Sequence, residues 1–320
     1  MTVLLIREKP AALSAADRAT IVALAPELRL VVTDDAAEVE AALPEVEIAT
    51  GHVPPTLLAR MPKLRWYQQW GAGADWLLRH PEIAARDFTL TNASGVHAIQ
   101  ISEHILALML AFARHLPEAI RAQARGEWER QEREGLFELA GKTMVLIGVG
   151  AIGGRTARLA AALDMRVIGV RRNAGEPAPG VARMVGPDRL HEVLPVADFV
   201  VLTVPLTPET RHMIGERELR AMKPSAFIFN IGRGGTIDED ALIRALRAGW
   251  IAGAGLDVFE KEPLPADSPL WQMENVIITA HYSGATPHYS ERALAIFLDN
   301  LRRYRAGEPL RNVVDRQLGY

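Results

Sequence analysis

The chain of 320 residues contains no cysteine, which excludes disulfides, cysteine-based metal sites and a thiol nucleophile together. Long apolar runs are missing as well. The longest, Ile105–Ala113, is less than half of the roughly 20 residues that a helix needs to cross a bilayer. The opening Met1-Thr2-Val3-Leu4-Leu5-Ile6 has neither the charged segment nor the cleavage site of a secretory signal and reads as a strand, so a soluble, cytoplasmic protein is expected. A net charge of −3 offers no basic field for nucleic acid or an anionic membrane surface. Lysine occurs only at positions 9, 63, 142, 223 and 261, a bias that genome composition explains better than function. Among the histidines, His52, His97, His104, His191 and His212 lack metal-ligand spacing, and no metal is expected.

What is present is a rhythm. Val3–Ile6, Leu28–Val32, Val46–Ala49, Leu64–Tyr67 and Phe88–Leu90 read as strands, with helical spacing over Ser14–Leu24 and Asp35–Leu43. Ile99–Arg114 reads as a long helix, and Glu118–Gly135 as a charged helix or excursion anchored by Trp128. The rhythm resumes with Met144–Ile147, Val167–Val170, Phe199–Val204, Phe227–Ile231, Ala254–Val258 and Val276–Ala280. Between these runs lie helices at Asp188–Leu194, Gly215–Met222 and Asp238–Ala248. The expected fold is α/β, with two Rossmann-like or flavodoxin-like domains on parallel sheets, one a doubly wound cofactor domain and the other smaller. The last helix, Ser290–Arg305, returns to the first domain.

Met144–Ile147 is followed by Gly148, Gly150 and Gly153 and then by a helical stretch, which is the context a dinucleotide-binding turn requires. Gly148 permits the turn, Gly150 lets backbone approach a pyrophosphate, and Gly153 lets helix and strand pack closely. The helix N-terminus then offers free N–H groups and partial positive charge to the phosphates. A second glycine turn, Gly71-Ala72-Gly73-Ala74, follows the strand at Tyr67 and could hold a carboxylate on its N–H groups.

Ligands of open parallel sheets lie beyond the carboxyl ends of the strands. At three such ends stand Arg233, the segment Asp257 to Glu262, and His281. That trio suits hydride transfer to a 2-oxo acid. Arg233 can fork onto the carboxylate and polarise the carbonyl. His281 can exchange a proton with the forming alkoxide. Glu262, paired with His281, would orient the ring and favour its protonated form.

These pieces resemble the D-2-hydroxyacid dehydrogenase family. The matching segments are Gly148-Val-Gly-Ala-Ile-Gly153, Thr203-Val-Pro205 with Thr210, and Asn230-Ile-Gly-Arg-Gly-Gly235. They continue with Ile237-Asp-Glu239, Leu256-Asp-Val-Phe-Glu-Lys-Glu-Pro263, and His281 with Gly284; weaker similarity reaches Gly71–Asp75 and Glu103-His104. The resemblance implies catalytic roles for Arg233, Glu262 and His281, a nicotinamide-amide contact at Asp257 and a carboxylate-binding loop at Ala72 and Gly73. Cofactor contacts are implied at Gly148, Gly150, Ala151, Ile152, Gly153, Thr203, Pro205, Thr210, Ile231, Gly232, Arg233, His281 and Gly284. It further implies a cofactor domain over residues 95–284, a substrate domain over 1–94 with 285–320, and a homodimer joined through the cofactor domain. His97 stands where the family often has asparagine.

The informative departure follows Val167–Val170, where an NAD enzyme places an acidic residue for the ribose 2′-hydroxyl. Here stand Arg171 and Arg172, which suit a 2′-phosphate, so NADP(H) is expected over NAD(H). The expected activity is reversible NAD(P)H-dependent reduction of a 2-oxo acid to a D-2-hydroxy acid, with glyoxylate and hydroxypyruvate as first substrates. Two alternatives stay open, a phosphite dehydrogenase and a dinucleotide-sensing protein like the corepressors that share the fold. Trp66, Tyr67, Trp70 and Tyr282 are expected to make a partly aromatic pocket.

Overall fold

Short apolar runs separated by capped amphipathic segments produce parallel sheets, because each crossover helix must cover the apolar face of the strand it leaves. A computed structural model describes residues 2–130, 135–316 and 319, and divides into two units, Met1–Val96 with Thr286–Tyr320, and His97–Ala285. Both sheets are parallel throughout.

The first unit carries β1 (Val3–Arg7), β2 (Arg29–Val32), β3 (Val46–Gly51), β4 (Trp66–Gln69) and β5 (Thr89–Thr91), in the order β2-β1-β3-β4-β5. This is the flavodoxin-like order. Helix Ala15–Leu24 starts where sequence places it, since Ser14 accepts from the Asp17 N–H and Asp17 returns the bond to Ser14. Asp35 caps Ala36–Ala42, its carboxylate accepting from the Ala37 and Glu38 N–H groups. Strand β4 runs two residues past the apolar run, through Gln68 and Gln69, both buried. The Gln68 carboxamide oxygen accepts from Thr91 Oγ1 at 2.7 Å and Asn300 Nδ2 at 2.9 Å, which removes the penalty for an unpaired buried amide.

The last helix, Tyr289–Ala306, lays Phe297 and Leu301 onto Leu4, Ile6 and Trp66. Trp66 is therefore core rather than pocket. It is fully buried, stacks on Phe297 and Tyr304 with ring centroids 5.5 and 5.4 Å away, and donates its indole N–H to Thr91 Oγ1. Trp66→Ala is expected to lower unfolding free energy by about 3–5 kcal/mol, read from urea midpoints at constant slope.

The second unit holds β6 (Thr143–Ile147), β7 (Arg166–Val170), β8 (Arg183–Val185), β9 (Phe199–Leu202), β10 (Phe227–Asn230), β11 (Gly253–Leu256) and β12 (Val276–Ile278). Their order, β12-β11-β10-β9-β6-β7-β8, is that of a doubly wound dinucleotide fold extended by one strand, reversing direction between β6 and β9. Strand β8 is absent from the sequence reading, because three residues at a sheet edge, one of them arginine, leave no apolar run. Helix Ala98–Ala113 packs Ile105, Leu108, Met109 and Phe112 onto one sheet face. The charged stretch after it is a helix over Leu116–Arg125, with Trp128 nine-tenths exposed beyond it; residues 131–134 of that stretch lie outside the described residues. Among the described residues, no helix is long and apolar enough to cross a membrane.

Candidate active site

The glycine turn sits at the switch point, between β6 and the helix Ala151–Ala162, and each glycine answers a different demand. Gly148 has φ +97°, and a Cβ there would press on Thr203 Oγ1 and Val204 Cγ1 at 2.9 Å. A Cβ on Gly153 would lie 2.0 Å from the Gly148 carbonyl, so only glycine lets the helix approach the strand. At Gly150 a Cβ would meet nothing within 4 Å, leaving open space beside the helix N-terminus where phosphate oxygens fit. Ala151 and Ile152 form the first turn of that helix. Thr203 closes the turn from β9, its N–H donating to Ile147 O and its hydroxyl to Gly148 O at 2.6 Å.

Past β9, the Thr210 hydroxyl donates to Pro205 O at 2.6 Å and accepts from the Thr207 N–H, folding residues 205–210 into a closed loop. Ile231 is buried beneath the sheet end, and Gly232 donates its N–H to Asn230 Oδ1. Arg233 follows. Its carbonyl accepts from Asn230 Nδ2 and Thr236 Oγ1, and its Nη1 donates to Gly232 O at 2.8 Å. A Cβ on the next residue, Gly234, would lie 1.9 Å from the Phe259 carbonyl carbon, so the arginine loop rests directly on the segment that leads to Glu262.

Glu262 is held at both oxygens. Oε1 accepts from the Phe259 N–H at 3.0 Å, and Oε2 lies 2.7 Å from His281 Nδ1. A carboxylate at Nδ1 fixes the proton there and orients the ring, which makes Nε2 the atom available for proton exchange. His281 has φ +51°, a left-handed backbone that non-glycine residues adopt rarely, and its N–H donates to Asp257 O. The Asp257 carboxylate is fully buried, accepting from Thr279 Oγ1 at 2.6 Å and from the Tyr282 and Ser283 N–H groups. Asp257 thus anchors the turn that carries His281. Tyr282 is half exposed at that turn.

Two histidines that sequence gave no role border this cluster. His97 Nδ1 lies 3.2 Å from Gly284 O, which also accepts from Gln100 Nε2 at 2.9 Å. Burial pushes the His97 imidazole below the ordinary histidine range; the Gly284 carbonyl partly offsets this, and the Arg233 charge adds to it. His97 is therefore a largely neutral neighbour of Arg233. His104 Nε2 lies 3.1 Å from Thr279 Oγ1, joining the Asp257 network, and burial lowers its pKa against the pull of Asp257. Neither role follows from local sequence, since each depends on a contact across more than 170 positions.

Arg171 directly follows β7, whose Val170 carbonyl accepts the Gly148 N–H. The exposed Arg172 acts on Glu209, whose carboxyl is held below its ordinary range mainly by the Thr207 hydroxyl. In the other unit, the loop after β4 is braced through its carbonyls. Asn92 Nδ2 donates to Ala72 O, and Gln69 Nε2 donates to both Gly71 O and Gly73 O. Among the described residues the Ala72 and Gly73 N–H groups meet no acceptor. A cleft beside this loop is lined by Arg7, His52, Tyr67, Gly73 and Trp76, with Arg7 donating to His52 O. Arg7 ends β1 and His52 follows β3, and that position at the carboxyl ends of the strands is the signal that sequence reading passed over.

Residues 106–283 match the family model for the D-isomer specific 2-hydroxyacid dehydrogenase, NAD binding domain. The chain belongs to that family. This D-2-hydroxyacid dehydrogenase is 36% identical to a glyoxylate reductase of Korarchaeum cryptofilum over 279 residues, 85% of the chain and 82% of the relative. It resembles the crystal structure of a D-isomer specific 2-hydroxyacid dehydrogenase from Xanthobacter autotrophicus Py2 in complex with NADPH and MES, at TM-score 0.84 and 31% identity, with 100% and 99% of the two chains covered. An NADPH-dependent glyoxylate/hydroxypyruvate reductase from Sinorhizobium meliloti, in complex with NADP and sulfate, matches at TM-score 0.84 and 27% identity over the whole of both chains. The dehydrogenase is accordingly an oxidoreductase, and the open space at Gly150 suits the pyrophosphate of a dinucleotide.

Proposed function

We propose that the protein reduces a small 2-oxo acid, with glyoxylate and hydroxypyruvate foremost, to the D-2-hydroxy acid, preferring NADPH to NADH. The observation that carries the reading is the His281–Glu262 pair, 2.7 Å apart, on loops that the buried Asp257 and the Arg233–Gly234 backbone hold together. A bound nicotinamide supplies the hydride to the carbonyl carbon. Arg233 forks onto the acid and polarises its carbonyl, and His281 Nε2 delivers a proton to the oxygen as charge builds there. Glu262 stabilises the imidazolium before transfer and keeps Nδ1 protonated after it. The Ala72 and Gly73 N–H groups take the substrate carboxylate, as a two-amide nest does. Asp257 orders the His281 turn and meets the nicotinamide amide.

The dinucleotide is assigned to Gly148, Gly150, Ala151, Ile152 and Gly153 at its phosphates, and to Thr203, Pro205, Thr210, Ile231, Gly232 and Gly284 along its length. Arg171 and Arg172 take the 2′-phosphate. Several related reductases and dehydrogenases carry NADPH or NADP in their crystal structures, which supports that preference. Arg171→Asp is expected to invert the ratio of kcat/KM for NADPH over NADH by at least about tenfold, because a carboxylate repels the phosphate and accepts from the 2′-hydroxyl. A native enzyme that clearly favours NADH would overturn the assignment.

A homodimer joined through the second unit completes the reading. Leu110, Leu116, Ile120, Trp128 and Leu163 are exposed there and would supply apolar side chains to such an interface. Following NADPH absorbance with a panel of 2-oxo acids tests the activity. Turnover of the small acids is the expected result. Tight NADPH binding without turnover of any acid would instead favour a dinucleotide sensor, and oxidation of phosphite a phosphite dehydrogenase.

A further inference from the structure

The 2′-phosphate assignment treats Arg171 as a receptor, yet its guanidinium already holds an anion. Arg171 Nε donates to the Asn173 carbonyl at 2.8 Å, and Nη2 donates to the Glu176 carbonyl and to Glu176 Oε2 at 3.2 Å. The other carboxylate oxygen, Oε1, accepts from Asn173 Nδ2 at 2.8 Å. The segment after β7 thus folds back so that a carboxylate lies against the guanidinium, with the Glu176 side chain 67% exposed and that of Arg171 20% exposed.

We propose that Glu176 is an internal counter-anion that competes with the ribose 2′-phosphate for Arg171 and so sets the balance between NADP(H) and NAD(H). The proposal rests on the NADP(H) reading above. A carboxylate and a phosphate ask for the same donors of a guanidinium fork, and Nη2 cannot serve both fully. NADP(H) must displace Glu176, and the displaced carboxylate still repels the phosphate at short range. With NAD(H) nothing is displaced. Arg171 keeps its partner, and Glu176 offers a carboxylate in the region where a ribose hydroxyl needs an acceptor. Because Glu176 is largely exposed, its hold on Arg171 is weak and displacement is easy, so the device tunes the preference without abolishing it.

Calorimetric titration of the protein with 2′,5′-ADP and with 5′-ADP reads this without turnover. Glu176→Gln is expected to bind 2′,5′-ADP roughly fivefold more tightly than native protein, with 5′-ADP binding no tighter. If Glu176→Gln leaves 2′,5′-ADP affinity unchanged or weakens it while native protein still prefers 2′,5′-ADP and Arg171→Gln removes that preference, the counter-anion role is wrong and the NADP(H) reading stands. If native protein binds the two nucleotides equally and Arg171→Gln changes neither, the NADP(H) reading fails and this inference falls with it.

Discussion

Replacing His281 by glutamine is expected to lower kcat for 2-oxo acid reduction by roughly 10²–10⁴-fold, the contribution of a positioned general acid. Glutamine keeps the polarity and approximate length of the side chain but cannot give up a proton to an alkoxide. NADPH should still bind, because the glycine turn and the helix N-terminus at Ala151 belong to separate strand ends. Glu262→Gln is expected to cost less. It leaves a hydrogen-bonding partner 2.7 Å from Nδ1 but removes the charge that favours imidazolium. Stopped-flow reduction with saturating NADPH measures both. A kcat for His281→Gln within about threefold of native would remove the histidine from the chemistry, since no general-acid role costs so little.

Arg233→Gln is the second large effect. In the proposed role the guanidinium is both the fork on the carboxylate and the cation facing the developing alkoxide, and removing one such donor costs about 10²–10³ in kcat. KM for the acid should rise as well, so kcat/KM falls further than kcat. Arg233→Lys should restore little, because a point charge on a flexible stem cannot reproduce the planar fork. The loop itself should survive, since Asn230 Nδ2 and Thr236 Oγ1 hold it through the Arg233 carbonyl rather than through the side chain. Steady-state kinetics against glyoxylate and hydroxypyruvate, with NADPH affinity measured separately, checks this. Equal losses for Arg233→Lys and Arg233→Gln are expected; full rescue by lysine would mean that charge alone suffices.

Much of the architecture was legible because parallel strands buried on both faces have to be apolar, and the runs at Met144–Ile147 and Phe227–Ile231 could be little else. Legibility failed where tertiary partners replaced apolarity. Gln68 and Gln69 extend β4 since Thr91 and Asn300, distant in sequence, satisfy Gln68. The run Phe199–Val204 overshot its strand by two residues, because Thr203 turns away to bond the Gly148 carbonyl. In the candidate site, the proposed trio of Arg233, Glu262 and His281 could be picked out from sequence because each follows a strand end. His97, His104, Arg7 and Glu176 did not. The first three stand near the cluster or the cleft only through contacts of the folded chain, and Glu176 looks like any solvated glutamate until the turn brings it onto Arg171.

The central claim is that Arg233, His281 and Glu262 act together on a 2-oxo acid beside a nicotinamide. The most direct measurement is reduction of a prochiral 2-oxo acid with NADPH deuterated at the transferring position of the ring, followed by chiral separation and mass analysis of the product. The account predicts a D-2-hydroxy acid carrying one deuterium at the carbon that was the carbonyl. An L-configured product, or a reduced acid without the label, would contradict it.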